Sequence, residues 1–312
     1  MGSAFSVTFS NMVMLILLIG LGFFLKKSKL VPEHLDTVIS KLSVYIFLPS
    51  LFLYSFTSRC TPENFSRYSS MLLFGTLFYV GSALLSVMLV RFIPCRSEYM
   101  RAVYCYALVI PNTGAFGMPL VTALYGADGL FIYNMFLIPA NIIGYAWAVP
   151  MLIPSKDGKG GFQPKKLLNP CMMACLIGMV LGLFHAGDHL PATLMNTVQN
   201  LGSCYSQLSL VTVGYVIASY DLSQIIQPKA DLFFSALRLL VYPGIFLLLL
   251  KLFHAPAMVT ALVILTFASP IGMNTVIFPA AYGEDSKIGA GLVMVSSLLA
   301  VLTLPLMYSL AV

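Results

Sequence analysis

Ala123-Leu124-Tyr125-Gly126-Ala127-Asp128 returns as Ala280-Ala281-Tyr282-Gly283-Glu284-Asp285, a shift of 280 − 123 = 157 in a chain of 312 residues. Each copy follows an apolar segment interrupted by two prolines, Pro111 and Pro119 in the first half, Pro270 and Pro279 in the second. A second echo, Pro32, Leu35 and Leu42 against Pro191, Leu194 and Leu201, gives 191 − 32 = 159. Two separate echoes on nearly one shift describe a unit written twice. Paired interrupted helices at corresponding places in two halves point to the substrate site of a secondary transporter.

The composition sends that unit into a bilayer. With 59% hydrophobic and 9% charged residues, against about 25% charged in soluble domains, the chain cannot cover a water-facing surface. Apolar stretches long enough to cross hydrocarbon as helix fall at 6–25, 35–57, 68–92, 99–124, 128–153, 168–186, 195–219, 230–253, 257–281 and 286–310. Five lie in each half, and an odd number forces the second copy to enter from the opposite side. The expected fold is therefore an all-α polytopic membrane protein of ten helices in two inverted five-helix repeats, 1–153 and 167–312. A Gly-, Pro- and Lys-rich cytoplasmic linker, 154–166, joins them.

Charge placement orients this arrangement. If the first loop is cytoplasmic, inner loops hold twelve Lys and Arg, among them Lys26, Lys27, Lys29, Arg91, Lys165 and Lys166, whereas outer loops hold three, Arg59, Arg67 and Lys251. Short loops rich in Lys and Arg stay inside, so both termini are expected outside a cytoplasmic membrane. The net charge of +6 is this bias, and no nucleic-acid partner is expected. The first span lacks a basic amino end and is too long for a cleaved signal peptide. Met1-Gly2 with Ser6 fits a myristoylation pattern that an outward terminus would never present to the enzyme. Six cysteines without disulfide or zinc spacing, and four histidines at span ends or in loops, suggest neither a metal nor a cofactor.

The fourth span reads Pro111-Asn112-Thr113-Gly114-Ala115-Phe116-Gly117-Met118-Pro119, and the ninth Ser269-Pro270-Ile271-Gly272-Met273-Asn274-Thr275 before Pro279. Prolines remove donors and glycines ease departure from helical angles, so both helices are expected to break. Unwound backbone at bilayer depth is tolerated only when buried in protein or lining a wet cavity. Proline kinks kept for packing are the plain alternative. In the inverted arrangement the half-helices after the two breaks direct their amino ends at one central region, which suits an anion. By the shift of 157, Asn112 pairs with Ser269 and Asn274 with Gly117.

Pro111-Asn112-Thr113, Gly117-x-Pro119-Leu120 and Tyr125-Gly126 closely resemble the crossover motif of the auxin efflux carrier family. Pro270, Asn274 and Tyr282-Gly283 resemble its second crossover, and Phe47-Leu48-Pro49-Ser50-Leu51 and Leu168-Asn169-Pro170 also match. Ser269 departs from that pattern. The resemblance implies a scaffold of spans 1, 2, 6 and 7, possible homodimerisation through it, a transport domain of spans 3–5 and 8–10, and elevator-type movement. It also implies that Asn112 binds the substrate carboxylate, with Pro111 and Pro270 marking the site.

The expected site comprises Pro111, Asn112, Thr113, Gly117, Pro270 and Asn274. Asn134, Asn141 and Tyr145 on the fifth span complete the pocket or serve as interhelical hydrogen bonds. Arg238 and Lys41 read as side chains snorkelling to the cytoplasmic headgroups. All eleven acids fall in loops or at span ends, leaving no midplane carboxylate to carry a proton. The expected function is transport of a small organic anion across the lipid bilayer, in the direction of export. A sodium- or proton-coupled carboxylate or bile-acid-type symporter is the alternative. No nucleophile with a base stands at depth, so no enzyme is expected.

Overall fold

Inside hydrocarbon a backbone must satisfy its own N–H and C=O groups, and within one segment only a helix does so. The computed structural model describes residues 2–152, 169–221, 228–281 and 286–312, and those residues are helices and their connections. In order they are α1 (Gly2–Lys27), α2 (Leu35–Leu42), α3 (Leu48–Arg59), α4 (Pro62–Tyr68), α5 (Ser70–Arg91), α6 (Glu98–Val109), α7 (Met118–Ile143), α8 (Val149–Leu152), α9 (Pro170–Leu183), α10 (Ala192–Ala218), α11 (Pro228–Ala236), α12 (Tyr242–Leu252), α13 (Ala257–Phe267), α14 (Asn274–Ala281) and α15 (Lys287–Ala311). Among the described residues seven helical runs are long and apolar enough to cross a membrane: Phe5–Lys27, Leu35–Arg59, Pro62–Arg91, Thr113–Leu152, Ala192–Ala218, Lys229–Leu252 and Lys287–Ala311. Pro170–Leu183 and Ala257–Phe267 are apolar but shorter. The chain is an all-α polytopic membrane protein.

The run Thr113–Leu152 is two helices in one. Gly126 interrupts it with φ 66° and ψ −161°, a conformation that only a residue without Cβ adopts at little cost. The first Tyr-Gly motif is thus the turn between the fourth and fifth stretches. Its second copy at 282–285, and the linker 154–166, lie outside the described residues.

Among the described residues four single turns of π-helix punctuate the long runs: Ser43–Phe47, Thr113–Gly117, Gly144–Ala148 and Leu237–Val241. Each ends two residues before a proline, Pro49, Pro119, Pro150 and Pro243. A proline in a helix lacks a donor and its ring strikes the carbonyl one turn back. Widening that turn to i→i+5 spacing moves the carbonyl away and lets the helix continue. Pro119 therefore sits in the first turn of α7, and Pro279 lies inside α14. The expectation that both prolines of each pair interrupt the helix is corrected here: only Pro111 and Pro270 stand in unwound chain.

Helix pairs approach closely where side chains are small. A Cβ at Gly22 would overlap the Val211 carbonyl, and one at Gly214 the Ile19 carbonyl, so α1 and α10 lie backbone to backbone. α3 packs along α9 and α10, while α5 packs on α7 and α15 on α11 and α13. Between α5, α12 and α13 lies an aromatic cluster in which Phe246 meets Phe267 edge-on at 4.7 Å and Tyr79 lies 5.2 Å from Phe267. Together these contacts fix the position of α13 and hence of the second break.

Candidate functional site

α6 stops at Val109 because Pro111 offers no donor and pushes the residue before it out of the helical region. Ile110 is accordingly extended, at φ −105° and ψ 106°. On the other side α13 ends at Phe267, with the Ser269 hydroxyl donating back to the Leu265 carbonyl at 2.6 Å. The two unwound stretches satisfy one another. Pro111 and Ile271 form an antiparallel bridge: Asn112 N–H donates to the Pro270 carbonyl at 2.8 Å and Gly272 N–H to the Ile110 carbonyl at 3.2 Å. Ile271 N–H donates to Ser296 Oγ of α15 at 3.1 Å. Backbone groups that would be costly as orphans at this depth are thereby paired. In this antiparallel register Asn112 stands opposite Pro270 and Ile110 opposite Gly272, so Asn112 and Ser269, equivalent by the shift of 157, are not partners across the bridge.

A cavity of 170 Å³ opens beside the bridge. Pro111, Asn112, Thr113, Asn141 and Asn274 are on its wall, so the structure brings these five expected residues together. Asn112 is 8% exposed. Its Oδ1 accepts from Ala115 N–H at 3.3 Å and caps the turn that begins after the break. Its Nδ2 is buried with no protein partner. An unpaired amide at this depth costs about 1–3 kcal/mol unless something else bonds it. Asn274 differs, since its Nδ2 donates to Tyr106 Oη at 3.0 Å. Thr275, buried behind it, donates to the Gly272 carbonyl at 2.8 Å.

Other expected residues lie elsewhere. Asn134 is buried and donates to Ser55 Oγ of α3 at 3.0 Å, off the cavity wall. Gly117 packs against Tyr133, where a Cβ would meet the hydroxyl, and Pro270 is taken up in the bridge. Tyr145 belongs to the π turn Gly144–Ala148, and its side chain lies outside the described ones. Several wall residues were not anticipated: Ser40 and Ser43 before α3, Tyr79 and Tyr106, and Tyr205, Ser209 and Thr212 of α10. The last three carried a signal, because spacings of four and three residues put hydroxyls on one face of an apolar helix. All described wall residues are neutral, and the amino end of the helix following the first break, Thr113 to Ala115, supplies the local positive potential.

Arg238 overturns the snorkelling expectation. It is 0% exposed, and its guanidinium donates to the Leu108 carbonyl at 2.8 Å and to the Thr266 carbonyl at 3.4 Å. Phe267 lies beneath it at 5.2 Å. Lys41, by contrast, is exposed. At the opposite end of α3, Arg59 pairs with Asp128 beside the Gly126 turn. Asp231, in the first turn of α11, is a span-end acid as expected and is nonetheless buried. The six cysteines are all free, and no cluster of metal-ligating side chains occurs among the described residues.

A family model described as membrane transport protein matches residues 7–163 and 160–308, nearly the whole chain. A search of curated proteins finds no match. The matched regions contain both halves of the bridge, the cavity beside it and the motifs that resemble auxin efflux carriers, and the chain belongs to this membrane transport protein family.

Proposed function

We propose that the chain carries a small organic anion across the cytoplasmic membrane by alternating access, in the direction of export. The observation that carries this reading is Asn112, whose buried Nδ2 has no protein partner and lies on the wall of a neutral cavity. Its two hydrogens suit a carboxylate, and hydrogen bonds to a charged group contribute roughly 1.5–3 kcal/mol. The amino end of the turn at Thr113 favours the same charge. A cavity of 170 Å³ favours a small acid over a bile-acid-sized one, since drug-sized ligands fill roughly 300–1,000 Å³.

The reading includes ten spans as inverted five-helix repeats, which the antiparallel pairing of two breaks supports. It includes outward termini, which the distribution of Lys and Arg supports. It also divides the molecule into a scaffold of α1, α2–α3, α9 and α10 and an elevator domain bearing the breaks. The close α1–α10 contact supports the scaffold. Ser40 and Ser43 place part of the cavity wall near the Lys-rich first loop, and the Arg59–Asp128 pair bridges α3 to the turn at the other end. Together they favour an inward-open state.

The experiment is a thermal-shift panel of malonate, malate and indole-3-acetate on purified protein, followed by flux of the stabilising acid in proteoliposomes under a valinomycin-clamped potential. Uncoupled carriage moves the substrate's charge each cycle, for which the potential contributes about 2.3 kcal/mol per charge per 100 mV. The initial rate is expected to follow the sign of the voltage and to ignore sodium and the pH gradient at fixed anion concentration. A rate indifferent to voltage and dependent on sodium or protons would replace this reading with the symporter.

A further inference from the structure

Arg238 is a buried ionic group that the substrate site described above does not use. It sits in the π turn Leu237–Val241, and both of its hydrogen-bond acceptors are main-chain carbonyls. Leu108 lies in the last turn of α6 and Thr266 in the last turn of α13. These are the two helices that stop at the bridge. Each helix carboxyl end carries about −0.5 of an elementary charge, so the two together match one guanidinium. Its other neighbours among the described residues include the Phe267 ring and, within electrostatic range, the hydroxyls of Tyr79, Tyr133 and Tyr242. Arginine keeps its proton under all ordinary conditions and is weakly hydrated, which suits a permanent charge at this depth. The helices that hold Arg238 also hold the Pro111–Ile271 bridge, so guanidinium and anion cavity form one unit.

We propose that Arg238 is the resident counter-charge of this carrier, standing between the carboxyl ends of the two broken helices where a coupled transporter would need a co-transported cation, and moving together with the anion site. This inference rests on the carrier reading. In consequence the loaded unit crosses the field with substrate and guanidinium charges opposed, whereas the empty unit returns with the positive charge uncompensated. Voltage then acts mainly on the empty step, and the cycle still exports one negative charge per monoanion.

The test measures transient charge movement after voltage steps on reconstituted protein in sodium-free medium, first without substrate. Wild type is expected to show a transient. R238K keeps the charge and the transient, whereas in R238Q the transient falls at least about twofold, because zFΔψ loses the travelling charge. The second arm uses wild type alone and so does not depend on the variant folding. Saturating whichever acid of the thermal-shift panel binds, at a pH where it is a monoanion, is expected to shrink the transient, since one negative charge cancels the guanidinium. A carrier without a resident cation would show a larger transient when loaded. An R238Q transient equal to wild type, or a wild-type transient that grows on loading, overturns the counter-charge while leaving transport intact. A protein that moves neither charge nor any acid of the panel overturns the carrier reading as well.

Discussion

The two helix breaks share one bridge and differ in what they leave free. At the first, Asn112 uses Oδ1 to cap the following turn and leaves Nδ2 buried and unpartnered. At the second, polar side chains are engaged within the protein: Ser269 with Leu265, Thr275 with Gly272 and Asn274 with Tyr106. Matching backbone interruptions have therefore been given different tasks. In the proposed carrier the first offers donors to the anion, and the second holds the geometry in which they are offered. Such asymmetry suits a substrate with one carboxylate and a different remaining end.

The comparison breaks most visibly at Asn112. In Asn112→Ala the capping acceptor and both free donors are lost, and affinity for the bound acid, measured by calorimetry, is expected to fall about ten- to a hundredfold. A folded Ala variant of undiminished affinity would remove the first break from the site. Tyr106→Phe sharpens the other side. It deprives Asn274 Nδ2 of its acceptor, so unfolding stability is expected to fall by about 1 kcal/mol while affinity stays within about twofold. A Tyr106→Phe variant of normal stability and tenfold weaker binding would make the second break a ligand contact after all.

Much of this was legible before any coordinates. The all-helical membrane character was legible, and seven helical runs among the described residues are long and apolar enough to cross a membrane, because twenty-odd apolar residues have few alternatives in hydrocarbon. The breaks at Pro111 and Pro270 followed from proline's missing donor. The fate of Pro119 and Pro279 did not, because a π turn or a local bend absorbs a proline through backbone geometry that composition does not encode. Asn134 and Asn112 look alike as isolated intramembrane amides. Only the partner distinguishes them, Ser55 for one and none in the protein for the other. Arg238 was misread because distance from a span end measures how far a side chain must reach for water, and says nothing of carbonyls waiting in the interior.

The central claim is that an anion rests on the free amide of Asn112, and the most direct measurement of it is binding to Asn112→Asp. The substitution preserves shape and a capping oxygen for Ala115 N–H, and replaces two donors with an acceptor-only carboxylate oxygen. Without ligand, the variant is expected to melt close to wild type. With the acid that stabilises wild type, it is expected to show no calorimetric binding at concentrations a hundredfold above the wild-type Kd. A folded Asn112→Asp protein that binds that acid with wild-type affinity would contradict the claim.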